Sequence, residues 1–267
     1  MILLNEFQKI VFIGAGNVAS HLGKALKDAG NEILQVYSRT EKSASLLAQK
    51  LETTSTSNIS EIYSNADLYV ISVSDDNVDQ ILGKLTLKDK LVVHTSGFLP
   101  MDTLKQVSEN YGVFYPLQTF SKSREVEMRS VPICIEANTP ENLQLLNSLA
   151  GQISSDVRQI NSDQRKVLHL SAVFACNFPN FMYAIAEKIL QNHDMDFSIL
   201  KPLILETAQK IQELEPANAQ TGPAIRGDER VINAHLKMLD NYPAYQKLYQ
   251  IITDQISDTK KPETNNQ

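Results

Sequence analysis

For its first 160 or so residues the chain alternates short apolar runs with segments in which apolar residues recur every three or four positions, and thereafter it keeps only the second pattern. The run Ile10-Val11-Phe12-Ile13 breaks at Gly14-Ala15-Gly16 and resumes at helical spacing through Val18, Leu22, Ala25, Leu26 and Ala29, with Gly30 as a stop signal. This predicts a strand, a tight turn and an amphipathic helix with a glycine cap. Residues 32–37 read as a second strand and 41–51 as a second helix. Further strands are expected at 68–73, 91–94, 113–115, 133–135 and 157–160, with helices at 77–85 and 140–150. Such alternation predicts a doubly wound α/β fold with a parallel sheet and right-handed crossovers.

From Ser162 onward the strand patterns stop, and long periodic segments cover about 162–192, 196–214 and 223–239. The change predicts two domains: residues 1–161 around the sheet and an all-helical domain over 162–257. Residues 258–267 are polar without apolar anchors and are expected to form a disordered tail.

The glycine turn carries the first chemistry. Gly14, Ala15, Gly16, Asn17 and Val18, with Ala19 at the third small position, fit G-x-G-x-x-A between a strand and a helix. That arrangement offers backbone N–H groups and a helix dipole to a pyrophosphate, which makes the sheet domain Rossmann-type and dinucleotide-binding. At the end of the second strand stand Ser38, Arg39 and Thr40, where a carboxylate would favour NAD. A guanidinium and two hydroxyls suit a 2′-phosphate, so NADP is the expected cofactor. Arg39 also suits a solvated strand end, and Thr40 a helix cap.

Ser72, Val73 and Ser74 follow a strand at the carboxyl edge and are expected to border the cofactor, although Asp75 or Asp76 there equally suits a helix cap. Thr95 and Ser96, within His94-Thr95-Ser96-Gly97, hold the equivalent place after the next strand. Residues 116–120 follow the one after, and these loops are expected to roof the nicotinamide end.

In the helical part, His169, Val173, Cys176 and Asn180 fall in a narrow arc of an ideal helix, with Asn177 about 80° round from His169. Pro179 should kink this helix and free the carbonyl of Ala175. His169 and Asn177 are candidate catalytic residues, His169 as a proton donor. A satisfied core histidine and a buried asparagine joining helices fit the same pattern. The dense turn 221–228 reads as a connector into a helix or as a loop closing over substrate.

Composition narrows the classes. A net charge of -6 supplies no electrostatic basis for a nucleic-acid partner. Residues 167–185 approach membrane-spanning length, but His169, Asn177, Pro179 and Asn180 interrupt them, so they suit the centre of a helical domain. An apolar helix so placed invites a second copy, and a homodimer is expected. The five histidines (His21, His94, His169, His193, His235) lack partners at ligand spacing, so no metal site is expected. Cys134 and Cys176 read as reduced core residues. The N-terminus has no signal-peptide pattern, which places the protein in the cytoplasm.

Through residues 14–19, 94–97, 169–181 and 221–228, the chain resembles the Rossmann-like NADP oxidoreductases with a helical C-terminal domain of unknown function. That family is itself similar to ketopantoate reductases, pyrroline-5-carboxylate reductases and β-hydroxyacid dehydrogenases. In ketopantoate reductases the corresponding helix resembles K-x-x-x-N-x-x-x-N-P, with a lysine that protonates the nascent alkoxide. His169 stands at the lysine, Val173 at the first asparagine and Asn177 at the second, so the ketopantoate reaction itself is not implied. The resemblance implies hydride transfer between NADP(H) and a carbonyl, alcohol or imine of a small metabolite, with Asn177 and the Ser96 loop orienting substrate. The rival class is a non-enzymatic NADP-binding or sensing protein with a helical association domain. A third is a structural module with a vestigial nucleotide site.

Overall fold

The structure, a computed structural model, describes residues 8–259. Eight strands form one sheet: β1 (Lys9–Ile13), β2 (Glu32–Tyr37), β3 (Thr54–Thr56), β4 (Leu68–Ile71), β5 (Leu91–His94), β6 (Asn110–Pro116), β7 (Ile133–Ala137) and β8 (Val157–Gln159). Their order is β3-β2-β1-β4-β5-β6-β7-β8, so the winding reverses between β1 and β4. In sheets of this kind the crevice at that reversal, beyond the carboxyl ends of the strands, is the ligand site.

Every ladder is parallel except β6–β7, which is antiparallel and sets Phe114 opposite Ile135. The expected parallel sheet is corrected at this pairing. Only a loop and a single 3₁₀ turn at Met128–Ser130 join the two strands, and no helix carries the chain back to the starting edge. β3 is an edge strand of three hydroxyl residues, with no apolar run to announce it.

Four helices accompany the sheet: α1 (Asn17–Asp28), α2 (Glu41–Leu51), α3 (Val78–Leu82) and α4 (Pro140–Ile153). β1 is buried on both faces, as parallel strands covered by helices are. Ile10 and Phe12 join Leu22, Leu26 and Leu149 in one core, while Val11 and Ile13 join Ile81, Leu82 and Leu104 in the other.

The first compact unit extends through Asn177, and the second begins at Phe178. Strands do end before Ser162, but α5 (Ser162–Ala172) packs with the sheet unit rather than with the later helices. It opens with a capping box in which Asn161 and Gln164 satisfy each other's backbone N–H groups. It then passes through a π turn at Val173–Asn177 into α6 (Phe178–Gln191). Pro179 has no N–H to return to the Ala175 carbonyl, and the backbone widens into the π turn just before it. Cys176 lies exposed in this turn, which corrects its reading as a core residue, while Cys134 is buried in β7.

Within the second unit follow α7 (Lys201–Glu213), α8 (Pro216–Ala219), α9 (Pro223–Arg226), α10 (Glu229–Met238) and α11 (Pro243–Asp258). Asp228 caps α10 by accepting from the Val231 N–H, and Gly222 and Gly227 take positive φ around α9, so the 221–228 turn is built as a helix connector. α11 was not among the expected segments, although Tyr245, Leu248, Tyr249 and Ile252 recur at helical spacing. It runs to Asp258, inside the predicted tail, and residues 260–267 lie outside the described residues.

One buried ion pair ties α5 to the sheet. Arg165 is fully buried and donates to Glu136 Oε2 (2.6 Å), the Leu99 carbonyl (2.5 Å) and Ser162 Oγ (3.2 Å). Ser162 in turn donates its N–H and hydroxyl to Glu136 and accepts the Met101 N–H. Removing one member strands a buried charge, so Glu136→Ala is expected to lower unfolding stability by about 3–5 kcal/mol. Urea denaturation checks this, and an unchanged midpoint would refute the pair's structural role.

Candidate functional site

The cradle is built where β1 meets α1. Gly14 has φ +122°, and a Cβ there would lie 2.1 Å from the Ser72 carbonyl oxygen, so only glycine fits. Its N–H donates to the Tyr37 carbonyl, and the Ser72 N–H donates to that of Ile13, fixing the end of β1 between β2 and β4. Gly16 begins α1 with no side-chain cap, so the N–H groups at the start of α1 remain for an anion. A Cβ on Gly16 would meet only the Ser72 oxygen, at 4.0 Å. Internal packing therefore does not demand glycine there, and its absent side chain leaves room above the turn, as a pyrophosphate requires. Ala19 is fully buried against the sheet as the third small residue.

The loops beside the cradle divide into structural and free groups. Thr40 caps α2 by accepting from the Ser43 N–H, and the Ser38 N–H donates to the Thr56 carbonyl. Exposed Arg39 is tethered: its Nη1 donates to Asn77 Oδ1 (2.8 Å), and Asn77 Nδ2 donates to Ser74 Oγ (2.5 Å). Asp75 and Asp76 form a 3₁₀ turn after Ser74, while α3 begins with no side-chain cap. Ser72 and Thr95 are buried and bond each other (3.2 Å), and Val73 packs on the second core, so these three support the edge from beneath. Ser96 Oγ accepts from the Phe98 and Leu99 N–H groups and shapes the loop after β5.

α5 brings half-buried His169 to that loop. A Cβ on Gly97 would lie 2.5 Å from His169 Nδ1 and 3.0 Å from Tyr115 Cζ, so the imidazole rests where a side chain would otherwise be. Tyr115, at the end of β6, places its hydroxyl 3.3 Å from His169 Nδ1. Burial pushes the Tyr115 phenol up to about 12, so it keeps its proton. Tyr115 and the Arg165–Glu136 pair were not anticipated; a tyrosine ending a strand at the carboxyl edge was the available signal. Asn177 is exposed and makes no hydrogen bond among the described residues.

The segment 116–120 was expected over the nicotinamide end. Its far end instead lies on the start of α1, where Phe120 offers its carbonyl to Asn17 Nδ2 (2.9 Å). Among the described residues, no group of three His, Cys, Asp or Glu side chains could hold a metal, and no helix is long and apolar enough to cross a membrane.

A doubly wound sheet whose first turn is an open anion cradle at the reversal of strand order defines a dinucleotide-binding protein. Residues 9–97 match the family described as NADP oxidoreductase, coenzyme F420-dependent, and residues 131–256 match a domain of unknown function, DUF2520. A solved protein from Bacteroides fragilis, provisionally named an NADP oxidoreductase, is 47% identical, with 94% of this chain and 98% of that one covered and a TM-score of 0.91. A Thermotoga maritima protein is 22% identical over 95% of this chain and 100% of its own, with a TM-score of 0.69. An imine reductase from Myxococcus stipitatus, solved with NADP+, shares the fold at 15% identity, 94% and 92% coverage and a TM-score of 0.62. No curated protein matches the chain. The chain belongs to the family that joins an N-terminal NADP oxidoreductase domain to this C-terminal domain of unknown function. NADP is the cofactor of that family, and the open turn with Arg39 beside it fits NADP.

His94, beneath the site, sets a pH limit. Its Nδ1 accepts the Ser96 N–H, while buried Nε2 makes no well-formed hydrogen bond among the described residues and has only the Pro100 backbone to favour its charged form. Burial, reinforced by the Arg165 charge, pushes the imidazole from its ordinary 6.5 down to about 3. Between those values the unfolded chain binds a proton that the folded chain refuses, so stability is complete above pH 6.5 and falls as pH drops towards 3. From pH 7 to 4.5 the loss from this group is expected to be about 2–3 kcal/mol. Chemical denaturation at both pH values should show a smaller loss in His94→Gln; equal losses would clear His94 of the effect.

Proposed function

We propose that the protein is an NADP-dependent oxidoreductase that transfers a hydride between NADP(H) and a carbonyl, alcohol or imine of a small metabolite, with His169 handling the proton. The observation that carries the reading is the placing of His169 against Gly97 and Tyr115 at the carboxyl edge of the dinucleotide-binding sheet. When bound, NADP(H) supplies the hydride chemistry. The cradle at residues 14–18 takes the pyrophosphate, and Arg39, with Ser38 and Thr40 around it, takes the 2′-phosphate.

Tyr115 stays protonated, and its hydroxyl oxygen accepts from His169 Nδ1, which orients the ring. In the reductive direction the protonated imidazole gives its Nε2 proton to the carbonyl oxygen or imine nitrogen as that centre is reduced, and is left as neutral imidazole with its proton on Nδ1. In the reverse direction Nε2, once deprotonated, takes the proton from the alcohol or amine. Asn177 orients the substrate. One residue accommodated in the π turn sets the helix register back by about 100°, so Asn177, about 80° out of line on a regular helix, comes to within about 20° of His169's line.

The helical segments carry the association surface of a cytoplasmic homodimer. Phe181, Ile199 and Leu203 are each more than half exposed, an amount of apolar surface that calls for a partner. A second copy presents the same residues, as two-fold symmetric contacts require.

His169→Gln is expected to cut NADPH oxidation with a panel of keto and imino acids by roughly 10²–10⁴-fold while leaving NADPH affinity unchanged. Full turnover in that variant would end the catalytic assignment. Sedimentation equilibrium should give twice the chain mass, and Phe181→Asp combined with Leu203→Asp should give the single-chain mass; a wild-type monomer would overturn the dimer.

A further inference from the structure

The loop after β6 is fastened across the glycine turn at four points. Asn17 Nδ2 donates to the Phe120 carbonyl and His21 Nε2 to the Ser121 carbonyl, both at 2.9 Å. The Phe120 ring stacks on His21, with centroids 4.8 Å apart and planes 26° from parallel. Asn17 and His21 are four residues apart and so share one face of the first turns of α1. The fourth point is Lys122, whose Nζ donates to the Ala15 carbonyl at 2.7 Å. Ala15 is the middle residue of Gly14-Ala15-Gly16, so a full positive charge is held at the turn that offers its N–H groups to an anion. Lys122 forms no ion pair among the described residues; a neutral carbonyl is its hydrogen-bond partner.

We infer that Lys122 is the counter-cation of the cofactor pyrophosphate, carried to the glycine turn by the loop that Asn17 and His21 fasten. This rests on the NADP reading above. The helix dipole supplies about half a positive charge at this end, and a pyrophosphate linkage carries two negative charges. Arg39 cannot supply the remainder there, because Asn77 and Ser74 hold it after β2 and beside α3. The two cations therefore divide the cofactor: Arg39 reads the 2′-phosphate and Lys122 neutralises the bridge.

Three ligands separate these roles in titrations of the full chain: NADPH, ADP-ribose (pyrophosphate without 2′-phosphate) and 2′-AMP (2′-phosphate without pyrophosphate). Lys122→Ala is expected to weaken NADPH and ADP-ribose by the same factor, roughly 10- to 100-fold, and to leave 2′-AMP unchanged. Arg39→Ala should weaken NADPH and 2′-AMP and leave ADP-ribose unchanged. Raising the salt concentration should weaken ADP-ribose less in Lys122→Ala than in the native chain. If the native chain binds none of the three, the NADP reading itself fails. If it binds them and Lys122→Ala leaves ADP-ribose affinity intact, or weakens all three equally as loss of a mere strut would, the assignment of Lys122 is overturned.

Discussion

Arg165 is a guanidinium taken entirely out of water, and a charge in that position survives only if a counter-charge and hydrogen bonds answer it; its Nη1 and Nη2 are paired, while Nε has no partner among the described residues. It collects partners from three separate stretches: Glu136 on β7, the Leu99 carbonyl beyond β5, and Ser162 at the start of α5. None of these can move without exposing the others to an unpaired charge, so the first turn of α5 is fixed to the sheet. His169 lies one turn further on, on the same helix face as Arg165. Its contact with Gly97 and Tyr115 is thus set by a pair that carries no chemistry of its own. The same charge bears on His94, which burial and Arg165 together keep neutral.

Two glycines mark the places where elements pass closer than a Cβ permits. Gly14 lets the end of β1 approach the Ser72 carbonyl, which shapes the crevice at the reversal of strand order. Gly97 lets the His169 imidazole settle onto the loop after β5. One absence shapes the β1–α1 turn and the other seats the imidazole. A side chain at either position would push apart backbone or ring atoms held by neighbouring hydrogen bonds, so neither gap is spare volume.

The β1–α1 turn was legible in the sequence because local chemistry alone creates it: an apolar run, two glycines and a resumed helical period. His169 stood out for a similar reason, a titratable group on an otherwise apolar segment. Tyr115, Arg165, Glu136 and Lys122 were invisible because their meaning lies in partners 29 to 107 residues away in the chain. The antiparallel β7 escaped notice because strand pattern reports burial and not direction. The π turn escaped because Pro179 announces only that a hydrogen bond is lost, not how the backbone redistributes the loss. Cys176 was misplaced because an apolar run was read as buried, whereas residues 174–178 are all exposed in the chain.

The chain carries a net charge of -6 and belongs to a family whose cofactor is a polyanion, so its overall field opposes the association. At physiological ionic strength that field is screened beyond about 8 Å, which leaves selection of the cofactor to groups lying on it. A dipole at one helix terminus is too weak to do this alone, and the buried Arg165 is already committed to Glu136. Exposed cations beside the crevice must therefore carry the balance, and they act best when already held in place, since ordering a long side chain costs part of what its charge contributes. Arg39 is held by Asn77. Lys122 is held by the Ala15 carbonyl, on a loop that Phe120 and Ser121 tie to α1. On the NADP reading proposed above, an acidic protein takes a polyanionic cofactor by holding two cations in place in advance.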